Sequence, residues 1–219
     1  MITVPPDSLP LVIELVGLPG AGKSSIVRAV QVKHLRRGDF GTWEVRWGRP
    51  VNRLVIAALQ LALSVRPLSV ARIVRAFKLF GFVRHYRRHS NLPVVMDQGL
   101  TQKLWSMLTE SREYSLPMLA TTIQRLAPFA ADHLVWIEIP VNVAAERVAK
   151  RTGGNSRFDG HPPGEISVRL AEEVGLYKTI LELFEHHAGC HVLSLRGEDP
   201  VAFNAALIAK LLEGRMKKR

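Results

Sequence analysis

The feature that most constrains the fold is an eight-residue loop motif between a predicted strand and a predicted helix. Residues 17–24, with the sequence GLPGAGKS, match the pattern G-x-x-x-x-G-K-[ST] without a mismatch. The apolar run at residues 11–16 predicts a buried strand, and residues 25–35 predict a helix. Glycines let such a loop curl around an anion, so that backbone N–H groups and the helix N-terminus face it. The motif therefore predicts a site for the phosphates of a nucleoside triphosphate.

Two side chains of this loop carry specific expectations. Lys23 is expected to reach the β- and γ-phosphates of ATP, and the Ser24 hydroxyl is expected to bind Mg²⁺. The alternative is a glycine-rich turn that binds nothing. The predicted nucleotide-binding residues are Gly17, Pro19, Gly20, Ala21, Gly22, Lys23, Ser24 and Ser25.

Composition sets the class of protein. With 219 residues, of which 47% are apolar and 22% charged, the chain suits a single α/β domain spanning residues 1–219. The first ten residues show no signal-peptide pattern, and the longest apolar stretch, residues 54–65, is short for a membrane span. The single cysteine, Cys190, excludes an internal disulfide. We therefore expect a cytoplasmic protein.

Positive charge is concentrated in two parts of the chain. The net charge is +11, and basic residues crowd residues 72–89 and 215–219. We interpret them as solvated helix faces together with arginines that hold substrate phosphates. Nucleic acid or an anionic membrane surface is an alternative partner that we do not favour, and a homodimer is compatible with the sequence.

The order of apolar runs predicts alternating strands and helices. Such an order implies right-handed crossovers and a three-layer, doubly wound, mostly parallel five-stranded sheet, as in P-loop NTPases. A glycine- and proline-rich lid loop is expected at 152–164. Strands are predicted at 11–16, 42–47, 92–97, 132–139 and 190–195, and helices at 23–37, 51–65, 67–88, 101–109, 116–127, 141–151, 165–187 and 201–212.

Residues that directly follow the strands are the candidates for chemistry, because ligands of such sheets bind at the carboxyl ends of the strands. Asp97 is expected to hold Mg²⁺ or to accept the proton of the phosphoryl acceptor, the alternative being that it caps the next helix. Trp47 and Trp105 could instead belong to the core. The predicted acceptor-binding residues are Arg46, Arg49, Gln98, Trp47 and Trp105.

A second informative stretch carries arginines. Arg147 and Arg151 are four residues apart on one helix, and Arg157 follows in the lid loop. Arginines that arrive on lid closure can stabilise the charge of a migrating phosphoryl group. The alternative is an ordinary basic loop.

These motifs together resemble the thymidylate kinase family of P-loop nucleoside and nucleotide kinases. The closest part is residues 132–159, with a strand that ends in an acidic residue, an A-x-x-R helix and a lid that ends in Arg-Phe-Asp. The resemblance implies a nucleotide kinase-like fold and phosphoryl transfer, with Arg196 and Gly197 lying along the adenine. The family has Asp-Arg after its third strand, whereas this chain has Asp97-Gln98-Gly99.

The sequence thus predicts an ATP- and Mg²⁺-dependent phosphotransferase that acts on a small acceptor. Because Gln98 is uncharged and Gly99 leaves room for close approach, a neutral, hydroxyl-rich acceptor is favoured over a nucleoside monophosphate. A polynucleotide 5′-end kinase and a non-catalytic ATP-binding regulatory protein are also compatible with the sequence. A zinc site at His186, His187, Cys190 and His191 is not expected.

Overall fold

The structure is a computed structural model that describes residues 11–30, 36–38, 60–63, 93–109, 114–151, 158 and 160–216. The strands are β1 (Val12–Val16), β2 (Arg36–Gly38), β3 (Val94–Met96), β4 (His133–Glu138) and β5 (His191–Arg196). The helices are α1 (Lys23–Ala29), α2 (Leu100–Leu108), α3 (Leu116–Leu126), α4 (Val141–Ala149), α5 (Pro163–Ala188) and α6 (Val201–Met216).

The strands form one parallel sheet in the order β2-β3-β1-β4-β5. Strand β1 lies between β3 and β4, and each of its five residues is buried. Parallel strands covered on both faces read as continuous apolar runs, which is the pattern of residues 11–16. The prediction of an α/β fold with a parallel sheet is confirmed for the described residues.

The helices contact one another in two groups. Helix α1 packs against α6, while α2, α3 and α4 all pack against the long helix α5. The core between these elements includes Ile13 and Leu15 of β1 and Phe184 of α5, each without exposed surface. Burial of a side chain of this size contributes about 1.5–3 kcal/mol to the free energy of folding.

The first helix and the second strand differ from the sequence prediction. Helix α1 ends at Ala29 rather than near residue 37, because Val30 already has an extended backbone with ψ of 118°. Residues 36–38 instead pair with β3, so tertiary pairing overrides the local helical preference. The predicted strand at 42–47 and the basic helix at 67–88 lie outside the described residues, as does most of the helix predicted at 51–65.

The helix after the predicted lid loop begins earlier in the chain than the sequence indicated. Helix α5 begins at Pro163, so residues 163–164 are helical rather than part of a loop that ends at Gly164. Proline fits a first-turn position because its fixed φ matches the helix and its missing N–H would have no partner there. Among the described residues, no helix has the length and apolar character needed to cross a membrane.

Candidate functional site

The loop between β1 and α1 has the backbone geometry of an anion cradle. Gly17, Gly20 and Gly22 have positive φ values of 154°, 88° and 91°. The Ala21 N–H donates to the Leu18 carbonyl at 3.1 Å, which closes the turn, and Gly22 caps α1 in the left-handed conformation. Such conformations are accessible to glycine and strained for other residues. The loop therefore needs glycine at these positions to present its N–H groups.

Gly20 and Gly22 provide a matched pair for testing this geometry. A Cβ atom on Gly20 would lie 2.5 Å from the Ala144 carbonyl oxygen of α4, whereas one on Gly22 would meet nothing within 4 Å. Gly22→Ala should cost about 1–2 kcal/mol of backbone strain. Gly20→Ala adds a backbone clash to the same strain, so we expect a clearly larger loss in the free energy of unfolding, measured by urea denaturation. Equal losses would contradict the close packing of the loop on α4.

The Lys23 side chain folds back onto the start of the loop. Its Nζ atom donates to the carbonyl oxygens of Gly17 at 2.6 Å and Leu18 at 3.0 Å. Burial lowers the pKa of Lys23 to about 8; the Asp97 carboxylate opposes this shift and the Arg151 guanidinium reinforces it. The ammonium is thus poorly solvated and bonded to two backbone carbonyl oxygens of the loop, and a nearby anion would stabilise it.

Ser24 and Asp97 come together across the sheet. Strands β1 and β3 are parallel neighbours, so the residues that follow their carboxyl ends share one edge. The Ser24 hydroxyl donates a hydrogen bond to Oδ2 of Asp97. These two predicted Mg²⁺ ligands therefore lie next to each other. The Asp97 charge also acts to raise the pKa of the nearby Lys23, against the effect of burial.

Oxygen ligands of this kind fit Mg²⁺. The ion usually takes one or two protein oxygens together with water and substrate phosphates, rather than a cage made of protein alone. A hydroxyl and a carboxylate oxygen in direct contact beside the glycine loop match that donor set. Ser24 and Asp97 are the residues that would hold the ion.

Glu14 is a site residue that the sequence reasoning passed over. It lies in the middle of β1 with 1% of its surface exposed, and its carboxylate accepts hydrogen bonds from the N–H groups of Thr101 at 3.2 Å and Gln102 at 3.0 Å. Burial raises the pKa of Glu14 to about 6, against the lowering effect of these two N–H groups. An acidic residue inside an apolar strand was the signal that could have identified it.

The space beside Gly99, which the sequence predicted to be open, is partly filled. A Cβ atom on Gly99 would overlap the carboxyl group of Glu14, so that side chain fills the space beside this glycine. On the side where a Cβ would project, Gly99 therefore does not leave the room for close approach that the sequence predicted. Gln98, in contrast, is exposed and stays a candidate for acceptor binding.

The two described arginines of the predicted phosphoryl clamp have different surroundings. Arg147 donates from Nη1 to the Gly197 carbonyl at 3.0 Å, which ties α4 to the turn after β5. A Cβ on Gly197 would lie 3.2 Å from the Ala21 carbonyl, so this turn packs on the phosphate loop. Arg151 is exposed just beyond α4, and its charge lowers the pKa of Lys23. Of these two arginines, Arg151 is the one whose charge acts on the pKa of Lys23.

Several predicted site residues lie apart from this centre or outside the described residues. Trp105 is 4% exposed and stacks on Tyr177 with ring centroids 4.7 Å apart, which favours a place in the core. Arg196 is exposed, and its guanidinium lies 3.9 Å from Glu198. Pro19 and Ser25 lie in the loop and in α1 as predicted. The predicted site residues that lie outside the described part of the chain are Arg46, Trp47, Arg49 and Arg157.

The histidine-rich segment lies at the other edge of the sheet. His133 and His191 begin β4 and β5, and their rings lie 5.3 Å apart. Burial raises the pKa of the Cys190 thiol to about 12, which keeps it protonated. Among the described residues, no group of three or more His, Cys, Asp or Glu side chains could hold a metal ion.

Comparison of the whole chain with protein-family models finds no match, and comparison with curated proteins finds none either. The resemblance to thymidylate kinases therefore depends on the motifs of the chain itself, and the site has to be interpreted from its own geometry.

Proposed function

We propose that this protein is a P-loop phosphotransferase that moves the γ-phosphoryl group of ATP to a small hydroxyl acceptor. The observation that carries the proposal is the meeting of Lys23, Ser24 and Asp97 at the carboxyl edge of β1 and β3, beside a loop of positive-φ glycines. The fold is then a three-layer, doubly wound arrangement of the nucleotide kinase type, which the parallel sheet and the two groups of helices support.

The chain's own residues supply binding and charge stabilisation. Backbone N–H groups of the loop and of the first turn of α1 bind the β- and γ-phosphates. Lys23 exchanges its two carbonyl partners for phosphate oxygens, which stabilises its ammonium ion. Mg²⁺, when bound with the triphosphate, neutralises charge on the phosphate oxygens. Arg151, whose charge reaches Lys23, supplies a second positive charge for the migrating group.

Asp97 has two oxygens with separate tasks. Oδ2 accepts the Ser24 hydroxyl hydrogen bond, so this is the oxygen that would hold Mg²⁺ together with Ser24. We propose that Oδ1 accepts the proton of the acceptor hydroxyl as its oxygen attacks the γ-phosphorus atom and ADP leaves. The exposed amide of Gln98 next to Asp97 provides hydrogen bonds without charge, which suits a neutral acceptor.

An acceptor panel tests this function. Purified protein is incubated with Mg²⁺ and γ-labelled ATP together with nucleosides, sugars, aminoglycoside-like alcohols, nucleoside monophosphates or oligonucleotides. We expect label transfer to a neutral hydroxyl compound with matching ADP release. Transfer to thymidine monophosphate would support the family's usual substrate over a neutral acceptor, and the absence of both binding and transfer of ATP would contradict the proposal.

The contrasting positions of Arg147 and Arg151 give a kinetic prediction. Arg147→Ala removes the bond to the Gly197 carbonyl and loosens the turn that the family resemblance places along the adenine, so we expect mainly a higher KM for ATP. Arg151→Ala removes a charge near Lys23 and should mainly lower kcat. Steady-state kinetics with varied ATP separates the two effects. An unchanged kcat in Arg151→Ala would favour the alternative that Arg151 belongs to an ordinary basic loop.

A further inference from the structure

We infer that Glu14 is a positioning residue that holds Asp97 against the phosphate loop by capping the helix that follows Asp97. The inference rests on the proposed function, because it concerns the same site. In the sheet, Glu14 pairs with Met96, the residue directly before Asp97. The carboxylate is therefore placed beneath the turn that connects β3 to α2.

The cap of α2 comes from another strand instead of from the helix's own N-cap residue. Helix α2 has Gly99 at its N-cap, so no side chain is available there to accept the free N–H groups of the first turn. The Glu14 carboxylate accepts two of them, from Thr101 and Gln102. A negative charge at a helix N-terminus is also favoured by the helix dipole.

Gly99 fixes how closely the turn approaches this carboxylate. Because a Cβ atom at position 99 would overlap the Glu14 carboxyl group, the turn lies directly on that side chain. Asp97 is only two residues earlier in the chain and contacts Ser24 of the phosphate loop. A shift of Glu14 would thus move the backbone that carries Asp97.

The same helical turn is also held from the side of α5. The Tyr177 hydroxyl donates to Oε1 of Gln102 at 2.8 Å, and the Tyr177 ring stacks on Trp105. Gln102 is therefore bonded to β1 through its backbone and to α5 through its side chain. With both sides fixed, the start of α2 has little freedom to reposition Asp97.

A carboxylate at this place has a desolvation cost as well as a capping role. Burial raises the pKa of Glu14 to about 6, so the ionised carboxylate is less favourable in the folded protein than in water, although the two N–H groups oppose this shift. A buried carboxylate with a perturbed pKa beneath a candidate reactive residue has the features of a functional site.

The test compares Glu14→Gln with Glu173→Gln. Glutamine keeps the shape of Glu14 but loses the charge and one acceptor oxygen. We expect Glu14→Gln to lower kcat by about 10- to 100-fold, as loss of a supporting partner commonly does, with little change in the KM for ATP. Combined with Asp97→Asn, it should cause no further loss, because Glu14 acts through Asp97.

Glu173 is a matched control because it contacts the C-terminal end of α2, whereas Glu14 contacts its N-terminal end. This buried carboxylate of α5 accepts a hydrogen bond from the Thr109 hydroxyl, which follows the last residue of α2. Amide hydrogen exchange of residues 97–102 should become several-fold faster in Glu14→Gln but not in Glu173→Gln. The kcat of Glu173→Gln should stay close to that of the wild type.

Specific results would overturn the inference. An unchanged kcat and unchanged exchange in a folded Glu14→Gln protein would do so. A double variant whose kcat is lower than that of Asp97→Asn by the full factor seen for Glu14→Gln alone would do so as well. If the wild type transfers no phosphoryl group, the proposed function fails separately. Hydrogen exchange then decides alone: faster exchange confined to Glu14→Gln supports the cap, and unchanged exchange overturns it.

Discussion

Lys23→Met is expected to lower the rate of phosphoryl transfer by at least about a hundredfold without unfolding the protein. The ammonium ion is placed to contact the phosphates in the ground state and in the transition state, so its loss should affect both ATP binding and turnover. Methionine keeps the length and apolar stem of lysine. The measurement is steady-state turnover with the acceptor found in the panel, together with thermal unfolding of each variant.

The stability of Lys23→Met follows from the lowered pKa of Lys23. Between pH 8 and 10.5, the range from its folded pKa to its ordinary value, the unfolded chain binds more protons than the folded one at this residue. The wild type should therefore gain stability relative to Lys23→Met as the pH rises through that range. At pH 7, where the ammonium is still mostly charged in a poorly solvated place, the variant should be at least as stable as the wild type.

An exposed lysine provides the control for this substitution. The Lys150 side chain is 80% exposed and lies 3.8 Å from Glu146, a surface pair of small energetic value. Lys150→Met should leave both turnover and unfolding nearly unchanged. Full ATP turnover by Lys23→Met, or an equal loss in both variants, would contradict the assignment of the phosphate loop.

Asp97→Asn is expected to lower kcat by about 10²- to 10⁴-fold, the usual contribution of a positioned acid or base. Asparagine cannot accept the acceptor proton and is a weaker Mg²⁺ ligand. Nucleotide affinity in the absence of Mg²⁺ should be nearly intact, whereas the gain in affinity on adding Mg²⁺ should shrink. Titration of a non-hydrolysable ATP analogue with and without Mg²⁺ measures this second effect independently of turnover.

Asp132→Asn is the control, because Asp132 is an aspartate with a structural hydrogen bond and no proposed role in catalysis. Asp132 lies at the amino end of β4, where its Oδ2 accepts the Val12 N–H at 2.8 Å. Its replacement should lower the free energy of unfolding by about 1–3 kcal/mol, as for a weakened bond to a charged acceptor. Its kcat should stay close to that of the wild type. A normal kcat in Asp97→Asn would remove Asp97 from the reaction.

The part of the site that sequence could predict is the part set by local pattern and parallel topology. The glycine spacing fixes the loop, and residues after neighbouring parallel strands meet at one edge, so Ser24 and Asp97 lie together as predicted. Side-chain partners across elements were not predictable. The sequence does not reveal that Glu14 fills the space beside Gly99, or that Arg147 binds the Gly197 carbonyl.

The end of α1 shows the same limit for secondary structure. Residues 23–37 have a helical pattern, but residues 36–38 pair with β3, and the energy of that pairing depends on a strand far along the chain, at Val94–Met96. Local preference decides little where distant backbone groups compete for the same hydrogen bonds.

Calorimetric titration of the wild type and Lys23→Met with a non-hydrolysable ATP analogue in the presence of Mg²⁺ tests the central claim most directly. The account predicts one analogue bound per chain by the wild type, tighter with Mg²⁺ than without it, and a large loss of affinity in Lys23→Met while Lys150→Met binds normally. An absence of binding to the folded wild type, or equal binding by all three proteins, would contradict the account.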